Sequence, residues 1–163
     1  MIQPKKNTKD PTPELYKIGC MGKITSFNES KDGRYLIVLS GLSRFKIIEE
    51  VENNKLYREC KISFNEFKSD VDDEKEEINS SNIKLIFNNI QKLFEKKGYI
   101  LNWKEIEKQN IEQIINALSM ASPFSLEEKQ ALLETKNLNL RKSKLEEILN
   151  TYAVDNFSNT TLQ

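Results

Sequence analysis

Histidine is absent from these 163 residues. With it go the ordinary general base, the commonest metal ligand and every serine or cysteine triad that depends on an imidazole. Cysteine is scarce too: Cys20 and Cys60 stand far apart in strand-like sequence, without the close pairing of a zinc site or the density of a disulfide framework. They are expected to be buried free thiols in a reducing cytosol. Net charge is also missing, because 25 Lys and Arg balance 25 Asp and Glu, so nothing draws the whole molecule to nucleic acid or to an anionic membrane. No apolar run reaches membrane-spanning length. The lysines near the start are followed by Pro11-Thr12-Pro13 and not by the apolar stretch of a signal peptide, which predicts a soluble, cytoplasmic chain with no membrane partner.

What is present, 37% hydrophobic and 31% charged residues, suffices for one globular domain or two small packed ones. The chain changes character once. Strand signals fill residues 15–62, helical signals fill 83–152, and an acidic stretch lies between. The expected organisation is a β subdomain over 1–68, an acidic linker over 69–80, an antiparallel helix bundle over 81–152 and a polar tail over 153–163: an α+β protein.

In the first half, period-two alternation places Tyr16, Ile18, Cys20 and Ile24 on one face. Gly19 and Gly22 mark a bend or a close backbone approach. Asp32-Gly33 predicts a tight hairpin turn. The returning strand, Tyr35-Leu36-Ile37-Val38-Leu39, is apolar at every position, so it is expected to be central and covered on both faces. Further strands follow through Arg44-Phe45-Lys46-Ile47-Ile48 and, after a turn at Asn53-Asn54, through Tyr57-Arg58-Glu59-Cys60-Lys61-Ile62.

In the second half, Ile83, Ile86, Phe87, Ile90, Leu93 and Phe94 form one helical stripe, opened by a Ser/Asn cap in residues 80–82 and stopped by Gly98. Asn102 and Asn110 precede two more helices, and Pro123 ends the second of these. Ser125 with Glu128 spells a capping box, and Leu145, Ile148 and Leu149 mark the inner face of a last helix ending near Tyr152.

No catalytic constellation emerges. Gly22-Lys23-Ile24-Thr25 imitates only part of a phosphate-binding loop, since position 17, where the first glycine belongs, is Lys17. The carboxylates from Asp70 to Glu77 lack the glycine of a calcium loop and read as a solvated linker. Tyr35, Phe45, Tyr57 and Phe64 suggest base-stacking platforms, but aromatics at strand spacing more often pack inward. No metal, cofactor or enzymatic activity is expected.

Several separated motifs, in order, carry a resemblance: Leu15-Tyr16-Lys17-Ile18-Gly19-Cys20-Met21-Gly22-Lys23-Ile24, then Asp32-Gly33-Arg34-Tyr35-Leu36-Ile37, then Gly41-Leu42-Ser43-Arg44-Phe45. In the helical half they continue with Trp103, Asn116-Ala117-Leu118-Ser119-Met120, Pro123-Phe124 and Glu128-Lys129-Gln130-Ala131-Leu132-Leu133-Glu134, with Arg141 and Leu145 beyond. Together these resemble the N-terminal substrate-binding domain of Lon proteases, in its free-standing form. The resemblance implies a PUA-like antiparallel β-barrel followed by a helix bundle, with recognition of unfolded or extended polypeptide as the task. Leu36, Val38, Arg44 and Phe45 are the candidate peptide-contact residues. Family members begin with two further strands that have no counterpart here, so the barrel is expected to be incomplete at its start and to self-associate through an open sheet edge. The rival reading, an RNA-binding PUA-like module, conflicts with the zero net charge.

Overall fold

The computed structural model describes residues 2, 4–5, 12–71 and 77–158. It divides into two compact units, Met1–Lys75 and Glu76–Gln163, each folded around its own side chains. Residues 72–76 of the expected linker and 159–163 of the expected tail lie outside the described residues.

The first unit is a three-stranded antiparallel sheet in the order β1 (Ile18–Glu29), β2 (Tyr35–Val51), β3 (Glu59–Ser63), followed by a short 3-10 helix, Asn65–Asp70. Between β1 and β2 the Ser30 N–H donates to the Arg34 carbonyl, and the Gly33 N–H donates back to the Ser30 carbonyl. Gly33 has φ +78°, a backbone angle at which a side chain is strained and glycine is not. The expected hairpin is therefore present. Lower in the sheet Gly22 lies opposite Gly41, and a Cβ on Gly41 would come within 3.4 Å of Cys20 Sγ, so this crossing tolerates little bulk. The core of this unit is small, with Ile18, Phe45 and Phe67 buried. Phe45 meets Phe64 edge to face at 6.3 Å between ring centres.

The second unit is helical: α1 (Ile83–Lys96), α2 (Trp103–Glu107), α3 (Ile111–Ala121), α4 (Leu126–Glu134) and α5 (Leu138–Ser158). Ile86, Ile90, Leu118, Leu132 and Leu145 are almost wholly buried in one cluster, with Trp103 and Tyr152 packed against it. Caps set the helix ends. Ser125 and Glu128 exchange hydrogen bonds in a capping box, and Asn110 with Gln113 forms another. At the end of α1 the Tyr99 N–H reaches the Phe94 carbonyl and the Gly98 N–H reaches that of Glu95, a Schellman motif that uses the positive φ of Gly98, +74°.

Several local expectations need correction: Arg44–Ile48 belongs to the same strand as Tyr35–Leu39, and Asn102 makes no side-chain capping bond at the start of α2. Asn82 occupies the N-cap position of α1 but sits at φ 62° with no side-chain capping bond. The segment before α1 is held from α5 instead, by Asn139 Nδ2 on the Glu77 carbonyl and Lys142 Nζ on the Asn79 carbonyl, at 3.1 and 2.9 Å. The last helix also runs past Tyr152 to Ser158. Its apolar stripe fades there, and no proline or glycine intervenes to stop it.

Candidate functional site

The chemistry-bearing feature of the first unit is the upper part of the β1–β2 hairpin. β3 pairs only with Lys46–Val51 of β2, so residues 35–45 of β2 have a strand neighbour on the β1 side alone among the described residues. The expectation that Tyr35-Leu36-Ile37-Val38-Leu39 is covered on both faces is therefore wrong: all five side chains are exposed. A neighbouring strand covers an edge and not a face, and the buried apolar side chains of this unit, Ile18, Phe45 and Phe67, lie at the base of the hairpin and not against residues 35–39.

Which side chains share a face follows from the register. Ile24 pairs with Leu39 and Ser26 with Val38, leaving Thr25 as an extra residue on β1, with its Oγ1 3.3 Å from the Val38 carbonyl that it donates to. Such a bulge advances one strand by a residue without turning its partner over. Phe27, an odd number of positions after Ile24, thus emerges on the same face, with Ile37, Leu39 and Tyr35 opposite or beside it. The Phe27 and Tyr35 rings stack at 5.1 Å. Exposed Ile24, Phe27, Tyr35, Ile37 and Leu39 make one continuous apolar face, which plain alternation could not reveal.

The four residues singled out from sequence separate into two pairs. Leu36 and Val38, 66% and 48% exposed, lie together on the opposite face of the hairpin. Arg44 and Phe45, 6% and 5% exposed, belong to its buried base. Arg44 is gripped by Asp70, with Nη2 to Oδ1 at 2.6 Å, Nε to Oδ2 at 2.8 Å and its backbone N–H to Oδ2 at 2.9 Å. Its guanidinium lies 4.4 Å from the centre of the Phe67 ring. Of the four aromatics considered as stacking platforms, Phe45 packs inward, whereas Tyr35 and Tyr57 are exposed.

The electrostatics of this unit is that of structural ion pairs. Asp32 is held down to about 2 by the hydrogen bond from Arg34, then by those from Ser30 and the Arg34 backbone. The hydrogen bond from Arg58 keeps Glu50 below the usual carboxylate range, and Arg58 also donates to the Pro13 carbonyl at 2.8 Å. Cys20 and Cys60 are free thiols, half-buried where full burial was expected. Burial, followed by the nearby Glu50 charge, pushes Cys60 up, the opposite of nucleophile activation. Among the described residues no helix is long and apolar enough to cross a membrane.

A short antiparallel sheet joined in sequence to a helix bundle defines an α+β protein, and its comparison with known proteins is specific. Residues 2–151 match the family described as the ATP-dependent protease La (LON) substrate-binding domain, and the chain belongs to that family. It is 26% identical over 151 residues to a Lon protease of Anaeromyxobacter dehalogenans (strain 2CP-C), covering 92% of this chain and 18% of that one. It is 30% identical over 160 residues to a Lon protease of Malacoplasma penetrans (strain HF-2), covering 89% of this chain and 19% of that one. The chain thus spans about a fifth of the length of the curated relatives it matches. A crystal structure of a Lon N-terminal domain protein from Xanthomonas campestris superposes with a TM-score of 0.57 at 15% identity, covering 83% of this chain and 68% of that one. At that identity the likeness is one of fold.

Proposed function

We propose that the chain is a non-catalytic polypeptide-recognition module that captures unfolded or extended polypeptide on the β1–β2 hairpin. The observation that carries this reading is the exposure of Ile24, Phe27, Tyr35, Leu36, Ile37, Val38 and Leu39 on a strand pair whose edge has no strand neighbour among the described residues. An extended peptide added to such an edge gains main-chain hydrogen bonds, and its alternate side chains meet the two apolar faces. Leu36 and Val38 contact one side of the added strand, and Phe27 and Ile37 the other. Arg44 and Phe45 act from below by fixing the base of the hairpin. The same edge makes the chain self-associate at high concentration. Membership of a substrate-binding family supports the partner class.

Fluorescence anisotropy with an unfolded, labelled polypeptide tests the reading. Surface substitutions of this kind change stability little, so Leu36→Ser with Val38→Ser, and separately Phe27→Ser with Ile37→Ser, report binding and not folding. Each pair is expected to weaken binding about tenfold. Unchanged affinity in both would overturn the proposal. Turnover of ATP or cleavage of peptide by the pure chain, lost on substitution of one of its own residues, would overturn its non-catalytic part.

A further inference from the structure

We propose that the groove between the C-terminal half of α1 and residues 149–153 of α5 is a second docking site, for a short acidic polypeptide segment that carries one large apolar side chain. The groove encloses about 220 Å³. Pockets for drug-sized molecules start at about 300 Å³, so this one holds a single anchoring side chain better than a small-molecule ligand.

Its floor is apolar and fixed. Leu93 and Leu149 are buried beneath it. Tyr152 is locked from two sides: its hydroxyl donates to Glu128 Oε2 at 2.8 Å and its ring lies 5.8 Å from that of Phe124. Because Glu128 is itself held in the capping box of α4, the ring does not have to be ordered when something binds. The rim is cationic. Lys92 and Lys97 line the groove together with Lys96, and among the described residues its lining holds no acidic side chain. Glu95, the one acid of α1, is three positions from Lys92, about 60° around the helix, and is not among the groove's lining residues. Lysines in a last turn also complement the helix dipole, which accounts for the sign of Lys96 and Lys97. It does not account for Lys92, a turn earlier, or for the apolar floor they enclose. Carboxylates flanking an aromatic or aliphatic side chain match both features together.

The test uses the full chain and a labelled peptide, blocked at both ends, in which two glutamates flank a phenylalanine on each side. Lys92→Glu with Lys97→Glu, both exposed positions, is expected to weaken binding about tenfold. A matching peptide with lysines in place of the glutamates is expected to bind this variant better than the native chain, which shows that the variant's groove is intact. Replacing the phenylalanine by serine weakens binding to the native chain, and Phe27→Ser with Ile37→Ser on the hairpin leaves it unchanged, so failure here is separable from failure of the hairpin reading. Equal binding of acidic and basic peptides, unaltered affinity in the double lysine variant, or displacement of the peptide by an equal concentration of short RNA would overturn the proposal.

Discussion

Asp70 holds Arg44 by three hydrogen bonds at once, two to the guanidinium and one to the backbone N–H, and so ties the end of the 3-10 helix to the middle of β2. The pair is nearly dry, with side-chain exposures of 8% and 18%. Removing one member of such a pair strands the other charge. Asp70→Asn is expected to destabilise the first unit by about 3 kcal/mol, the low end for a buried pair because Asp70 keeps some water contact. Arg44→Met combined with Asp70→Leu is expected to cost less than either alone. Urea denaturation followed through the β-sheet amides checks this, and single and double variants that add independently would sink the idea of a coupled pair.

This relationship was not legible in the sequence, and the reason is instructive. Asp70 opens a run of carboxylates that reads as solvated linker, and nothing local distinguishes the one that reaches 26 residues back to a buried arginine. The helix ends behaved differently, because caps and stops depend on residues within one turn of each other. Ser125 with Glu128, Asn110 and Gly98 were all readable and all function as such. Asn82 shows where local reading fails: the segment before α1 is anchored by Asn139 and Lys142, some sixty positions away. The apolar run of β2 was visible, but its exposure was not, since a strand's faces are covered by other elements packed on them and the run itself does not say whether any does.

Ser125→Ala removes the hydroxyl that accepts from the Glu128 N–H and is expected to cost 0.5–2 kcal/mol, roughly the usual value of an N-cap. Glu128→Ala should cost more, since the same carboxylate accepts from the Ser125 N–H and from the Tyr152 hydroxyl. Thermal melts followed by the helical circular dichroism signal decide it. Equal losses in the two variants would mean that the Tyr152 bond contributes nothing.

Asp32 supplies the pH dependence of the hairpin turn. Its folded value, about 2, lies below the ordinary 3.8, so its contribution is present above the unfolded value and is lost as pH falls through the folded one. NMR titration of the Asp32 carboxyl should show a midpoint near 2, and Arg34→Ala should move it up. A midpoint near 4 in the native chain would contradict the turn geometry.

Thr25 makes the least intuitive prediction. Deleting a residue from the middle of a strand normally turns every later side chain to the opposite face. Here Thr25 is already the unpaired residue between Ile24, opposite Leu39, and Ser26, opposite Val38. Its removal leaves both pairings adjacent and keeps Phe27 on the face of Ile24 and Tyr35. The losses are one exposed hydroxyl bond to the Val38 carbonyl, about 0.5–1.5 kcal/mol, and the extra local twist. A Thr25 deletion is therefore expected to fold with the Phe27–Tyr35 ring contact intact, read from nuclear Overhauser effects between the two rings, and with only a small drop in melting temperature. If the deletion instead abolishes that contact while the strands stay paired, β1 has no bulge at this position, and the single apolar face built from Ile24, Phe27, Tyr35, Ile37 and Leu39 is wrong.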